Sequence, residues 1–461
     1  MFGRPLIRRK TLLAGSLSVC LIGSLACSQA YAGNAQAESL SLVEAYRLAE
    51  QQDAKYQAAK AQRMADQVAP ELGRAPLLPQ LSASAKLERQ DNTYDSFGQQ
   101  IQAERNPGTY ALILNQPLFR PQAWASFKQS QLLAEQAELR FRSATQQLVI
   151  RVSEAYFAVL TAQDDLQNLT VQQSTIEEQL AFAKKNFEVG NATITDQQEA
   201  QARFDLIASQ ALAARNALAV ARLALQTLIG RPVGDLQGVN PSLAPAGPTP
   251  PDAQTWVGMA RQQAIEVQLA QLGYEIARRE LDKSRYGHLP TLDFTAQMLE
   301  TEQQVFDAAT GRPFDIGVDN TTLGLLLNVP IFSGGATHAL VKQQAALLNK
   351  SRSDLDFAQR IAEQNAHTAF LNLSTSVAQV KALQTAQQSS ALALQANRTG
   401  YEVGVRSNID LLNAQQQLSA IERDLAQAKY RSLLAVLQLQ STVGQLTAEQ
   451  LQNFIGQSSA P

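Results

Sequence analysis

The sequence predicts a mixed α and β membrane protein made of two tandem copies of one unit, each copy supplying long helical rods and a pair of strands. Three observations carry this. First, Phe187-Glu188-Val189-Gly190 is followed six residues after the glycine by Asp196, and Tyr401-Glu402-Val403-Gly404 is followed at the same interval by Asp410. Each copy interrupts a run of Ala, Gln and Leu with a glycine stop and a Thr, Ser, Asn or Asp restart, the grammar of a tight helical hairpin. Second, the hydrophobic period switches from helical to alternating at Leu81, Ala83, Ala85 and Leu87, and again at Leu292, Phe294, Ala296 and Met298. Third, after an export leader no apolar run reaches the ~18 residues that cross a bilayer as a helix, so membrane entry would be by strands.

The leader is residues 1–32. Arg4, Arg8, Arg9 and Lys10 precede an apolar run from Thr11 to Leu25, and Ala30-Tyr31-Ala32 fits a small-residue cleavage site. The mature chain is expected to begin at Gly33. A competing reading makes Cys27 a lipid-anchored first residue, but Ser24-Leu25-Ala26 lacks the leucine usual three positions before such a cysteine. With cleavage after Ala32 both cysteines, Cys20 and Cys27, are lost, and disulfide, thiolate zinc and thiol chemistry go with them.

The first repeat is expected at 33–230. Leu42, Ala45, Tyr46 and Ala49 keep a helical spacing in a helix from Ser39 to about Leu72, which Ala75-Pro76-Leu77-Leu78-Pro79 stops. A strand over 81–88, a polar loop to Gly108 and a second strand from Tyr110 to Phe119 make a hairpin at about 79–119. From Pro121 to Val189 helix formers run on with no further Pro or Gly, a rod of about 100 Å. After the first break, Asp196 to about Ile229 is a helix of half that length. Residues 231–251 form a Pro/Gly-rich connector, an irregular belt or linker.

The second repeat, 252–447, replays the first. A helix from Asp252 to Tyr286 precedes a strand hairpin at about 290–332, whose strands are separated by a polar loop of about twenty residues. A long helix from Ala336 to Val403 follows, then the second break, a shorter helix to about Val443 and a C-terminal tail at 448–461. Landmarks keep a steady offset: Pro79 with Pro290 at 211, Pro117 with Pro330 at 213, and Gly190 with Gly404 and Gly230 with Gly444 at 214. Pro79, Pro117, Pro290 and Pro330 mark helix-to-strand junctions, a structural role, since proline removes a backbone donor. Phe119, Trp124, Tyr286 and Phe332 beside them suit either a membrane interface or core packing at the base of the strands.

Two short helices of about 35 residues placed end to end match one long helix, so each half offers one long rod and one composite rod. Four strands per chain cannot close around a lumen, and an open set would leave unpaired backbone in lipid. The chain must therefore oligomerise. Three copies give twelve strands and twelve rods, wide enough for water; two copies give eight strands, whose interior would fill with side chains.

Net charge is −2, and no Lys/Arg run follows residue 10, so nothing marks a nucleic-acid groove. Aromatics are only 6%, which suits long helices packed through small side chains more than a large globular core. His288, His338 and His367 show no metal-ligand spacing, and no catalytic triad, phosphate loop or HExxH motif is present. No catalytic residue, cofactor or metal is assigned, and the chain is not read as an enzyme.

Pro76-Leu77-Leu78-Pro79-Gln80-Leu81, Gly287-His288-Leu289-Pro290-Thr291-Leu292-Asp293, Pro330-Ile331-Phe332-Ser333-Gly334-Gly335 and the two helix breaks resemble the TolC family of outer-membrane channels, in order and over the whole mature chain. The Gly-His-Leu-Pro-Thr-Leu strand entry is more similar to the branch serving type I secretion of alkaline proteases or adhesins than to the lipoprotein branch of drug-efflux channels. The resemblance implies a homotrimer with a twelve-stranded barrel in the outer membrane, continuous with a periplasmic α-helical barrel. It also implies an inner-membrane ABC transporter, a periplasmic adaptor (a membrane fusion protein) and a secreted protein substrate that passes through unchanged.

The resemblance also assigns residues. Asp410 is expected to form a negative ring at the periplasmic tip that attracts cations. The family's second acidic position, three residues on, is Asn413 here, so cation selectivity should be weaker. Tyr401, Arg406, Thr195 and Asp196 match positions that latch the inner hairpin to its neighbours. Their blander readings are a helix-start carboxylate favoured by the dipole, for Asp410, and residues that merely shape a turn, for the latch set. The alternatives in function are a multidrug efflux channel and a periplasmic coiled-coil adaptor. An adaptor would not need two pairs of alternating strands flanked by proline.

Overall fold

The computed structural model describes residues 39–96, 98–190, 193–238, 247–306, 313–447 and 449–451. The expected leader with Cys27, and nearly all of the 448–461 tail, lie outside the described residues.

The single helix expected from Ser39 is three: α1 (Leu42–Gln52), α2 (Ala54–Gln67) and α3 (Ala69–Arg74). Asp53 makes the first break. Its backbone is extended, and its side chain accepts the Tyr56 N–H at 2.6 Å, capping α2. Pro70 ends α2, because it has no N–H to continue the ladder. The helix expected over 252–286 is likewise broken, at extended Ala264, into α6 (Ala253–Gln263) and α7 (Ile265–Arg285). Asp53 and Ala264 are 211 residues apart, so the break belongs to the repeat. At each break a glycine in the left-handed region packs close. A Cβ on Gly230 (φ +72) would lie 3.0 Å from Gln52 side-chain atoms, and one on Gly444 (φ +72) would lie 2.6 Å from the Gln263 carbonyl oxygen.

The long rods match expectation: α4 is Pro121–Glu188, followed by α5 (Ile194–Ile229), and α8 is Ala336–Glu402, followed by α9 (Asn408–Thr442). Composite rods form as the lengths implied. Arg63 and Gln67 of α2 reach Glu138 on one part of α4, while Ala200 and Phe204 of α5 pack on Leu180 and Ala183 near its other end. One expectation is corrected here. By length and composition α5 is apolar enough to span a membrane. Its run of Ala and Leu residues supplies that character, and the helix lies along α4.

The strands are β1 (Gln80–Leu87), β2 (Gln90–Ser96), β3 (Gln99–Arg105), β4 (Gly108–Phe119), β5 (Thr291–Phe306) and β6 (Pro313–Asn328). Both polar loops are therefore shorter than expected. The first is the β2–β3 hairpin, and the second is mostly the outer ends of β5 and β6. Gln, Asp and Asn are dense in these residues and mask a weak alternation, Ile101 and Ala103 on β3 and Phe314, Ile316 and Val318 on β6.

The sheet order is β1-β4-β5-β6, all antiparallel, with β1 and β6 at its edges. Its register builds two unlike faces. Leu81, Leu114, Ala296 and Leu323 form one row across all four strands, and the adjacent row on the other face is Ser82, Ile113, Gln297 and Thr322. Pro79 and Pro290 directly precede β1 and β5, Pro330 follows β6, and Pro117 sits inside β4 where the register shifts. Beside that shift Arg120 makes a two-pronged ion pair with Asp293 of β5, at 2.8 Å on both arms. It joins the two repeats where strands meet helices. Phe119, Trp124, Tyr286 and Phe332 are all exposed within the single chain, Phe332 at 87%.

The largest core cluster lies midway along α4, where Leu148, Val149, Val152 and Tyr156 meet Leu225 and Ile229 of α5 and Leu437 of α9. The connector is sewn into it. Leu40 pairs with Leu236 in a parallel bridge, and the Tyr156 hydroxyl lies 2.8 Å from the Leu40 carbonyl oxygen and 2.7 Å from that of Gln237. Leu451 is fully buried in the same cluster, so the chain returns there at its far end. Arg151 and Asp53 add a two-pronged ion pair at 3.0 Å. Burial opposes ionisation of Asp53, but the Arg151 and Tyr56 bonds outweigh it and hold the carboxyl below its usual range.

Candidate functional site: the two helical hairpin tips

Both repeated breaks are built alike. At the first, α4 ends at Glu188, Val189 is its cap and Gly190 takes the left-handed conformation (φ +74). Thr193 then caps α5. Its N–H and hydroxyl donate to Asp196 Oδ2 at 2.9 and 2.8 Å, and the Asp196 N–H donates back to Thr193 Oγ1 at 3.2 Å. At the second, Gly404 (φ +80) precedes Ser407, whose N–H and hydroxyl donate to Asp410 Oδ2 at 3.1 and 2.8 Å, while the Asp410 N–H returns 3.2 Å to Ser407 Oγ. These are reciprocal capping boxes. The pattern Ser/Thr-x-x-Asp announces both in the sequence.

The boxes hold both carboxylates ionised. For Asp196 the backbone and then the side-chain bond from Thr193 lower its pKa, and for Asp410 the Ser407 side chain and then its backbone do so. The blander role of Asp410, a helix-start carboxylate, is thus present in the single chain. That role leaves its negative charge in place.

Arg406 folds back over Gly400. A Cβ there would meet Arg406 Cγ at 2.7 Å, and the Val405 and Arg406 N–H groups donate to the Gly400 carbonyl at 2.9 and 3.1 Å. Among the described residues no side-chain hydrogen bond or ion pair joins Tyr401 or Arg406 to Thr195 or Asp196 within one chain. Asp196 is occupied by its own cap instead. Asn413, expected beside Asp410, is exposed and accepts a 2.8 Å hydrogen bond from Arg203 Nη2 of α5. Arg203 carries no sequence signal; it lies 210 positions away from the residue it holds. Among the described residues no cluster of three His, Cys, Asp or Glu could hold a metal.

The outer membrane efflux protein family matches residues 45–231 and 256–445, the two repeats separated by the connector. The alkaline protease secretion protein AprF of Pseudomonas aeruginosa is 31% identical over 427 residues, covering 90% of this chain and 88% of its own. Outer membrane protein TolC of Vibrio cholerae is 29% identical over 413 residues, covering 89% and 92%. Among solved structures, the outer-membrane channel CusC superposes with a TM-score of 0.75 at 18% identity, over 88% of this chain and 92% of that one, which speaks for the fold. With both repeats matched by one family model and most of the chain aligned to AprF, the protein belongs to the outer membrane efflux protein family.

Proposed function

We propose that this outer-membrane protein is the exit channel of a tripartite type I secretion system, working as a homotrimer. The observation that carries the reading is a four-stranded sheet with one apolar and one polar face and two open edges, joined to helices of 68 and 67 residues. Pairing β6 of one copy with β1 of the next removes every edge and closes twelve strands around a polar lumen. The apolar row through Leu81 and Leu323 faces lipid. The rods extend the lumen about 100 Å into the periplasm, to an adaptor and an ABC transporter.

The similarity to a protein named for alkaline protease secretion supports a secreted protein as cargo. Deleting the gene should abolish release of secreted protease from the cells that carry it, and an intact copy should restore release. Unchanged secretion with heightened sensitivity to small toxic compounds would instead support efflux.

At the periplasmic end three Asp410 carboxylates ring the constriction, with Asn413 in place of a second acidic ring. Arg406 and Tyr401 latch onto Thr195 and Asp196 of adjoining hairpins. The exposed Arg406 side chain interacts with Asp410 through its charge but makes no side-chain hydrogen bond or ion pair among the described residues of its own chain, which supports a contact between chains. Arg406→Ser combined with Tyr401→Phe should raise single-channel conductance in planar bilayers, and an unchanged conductance would remove the latch.

A further inference from the structure

Arg203 is the one site residue that no sequence pattern points to, and its surroundings are built. Its guanidinium donates from Nη2 to Asn413 Oδ1 at 2.8 Å and from Nη1 to Gln416 Oε1 at 3.2 Å. The two acceptors stand three residues apart on α9, so they present themselves on one face to a planar two-pronged donor. Beneath the fork α4, α5 and α9 meet in a cleft of about 170 Å³, with Ile176, Ile207 and Leu412 as its apolar wall. All three are buried, with α5 and α9 each packed on α4, and the Arg203 fork ties the two together at this level.

Both acceptors are neutral amides. Among the described residues no carboxylate forms an ion pair with Arg203, so its charge is oriented without being cancelled. Asp410 lies three residues before Asn413 on α9, about 4.5 Å along the axis. The fork spans the level from Asn413 to Gln416, which puts each guanidinium about 4.5 to 9 Å along the axis from the carboxylate at the tip, on the order of the screening length of a physiological salt solution.

We propose that Arg203 is a charge-selectivity determinant of the channel: three guanidinium groups, held by Asn413 and Gln416, form a positive belt that offsets the Asp410 ring. The channel then discriminates little between cations and anions. This rests on the reading that Asp410 rings the constriction.

The test is the reversal potential of reconstituted channels in planar bilayers under a potassium chloride gradient. Arg203→Gln loses the charge and keeps only a shorter, neutral amide donor. It should raise the cation-to-anion permeability ratio about twofold or more. Arg203→Lys keeps the charge without the fork and should stay near the parent value. Asp410→Asn should lower the ratio. A Gln variant at the parent ratio, alongside a responsive Asp410→Asn, overturns the role of Arg203 and leaves the constriction standing. A Lys variant that shifts as far as the Gln variant also overturns it, because geometry and not charge would then be responsible. If neither Arg203→Gln nor Asp410→Asn moves the ratio, the constriction reading fails as well. Conductance itself reports that each variant has folded and assembled.

Discussion

Arg151→Ala is expected to destabilise the helical body by about 2–4 kcal/mol, seen as a lower midpoint of thermal unfolding in detergent. The substitution strips Asp53 of both guanidinium bonds while leaving its carboxylate 6% exposed between α1 and α4. The cost of that orphaned charge is the reason to expect more than a surface ion pair would yield. The figure is set below that of a fully buried pair because the Arg151 side chain is 29% exposed. Acid gives a second signature. The folded-state pKa of Asp53 is lowered, so its contribution is present above the unfolded value, about 3.9, and is lost as pH falls through it towards the folded one. The gap between parent and variant should therefore narrow on acidification below about pH 4. A gap that widened there would contradict the assignment.

Leu323→Arg is expected to abolish assembly in the outer membrane, whereas Thr322→Arg, its sequence neighbour, is tolerated. Leu323 stands 69% exposed in the row of Leu81, Leu114 and Ala296, near the middle of the apolar face. An arginine facing lipid at mid-depth costs about 2–4 kcal/mol per copy, and three copies incur it together. Thr322 belongs to the opposite row with Ser82 and Gln297, where an arginine would meet water. Outer-membrane fractionation and the heat-resistant oligomer on gels read both variants. Equal tolerance of the two would remove the distinction between faces.

Much of this fold is legible because the chain repeats itself. Pro and Gly act locally, and their offset from one half to the other marks the strand entries, the hairpin tips and the ends of α5 and α9. What is not legible follows from physics that is either two-sided or distant. The β2–β3 hairpin is dense in Gln, Asp and Asn, and its few apolar residues, Tyr94, Ile101 and Ala103, are too sparse to set a readable period. The break at Ala264 has no capping side chain and no breaker residue; the close approach of Gly444, 180 residues on, shows where it packs. The ion pairs of Arg120 with Asp293 and Arg151 with Asp53 join residues 173 and 98 positions apart. No local pattern selects one arginine from many.

The tips divide in the same way. Glycine, with Thr, Ser, Asn or Asp after it, predicts the turns, and the turns are there. The use made of Asp196 and Asp410 in capping their own helices, and the Arg203 fork on Asn413, depend on geometry that only the folded chain supplies.

The central claim is that three copies of this chain close one channel. Native mass spectrometry of the complex extracted gently from outer membranes tests it most directly. The expected result is a single species of three chains. A monomer or dimer as the stable species would leave the edges of β1 and β6 unpaired or the strands too few for a water-filled lumen, and would contradict the account.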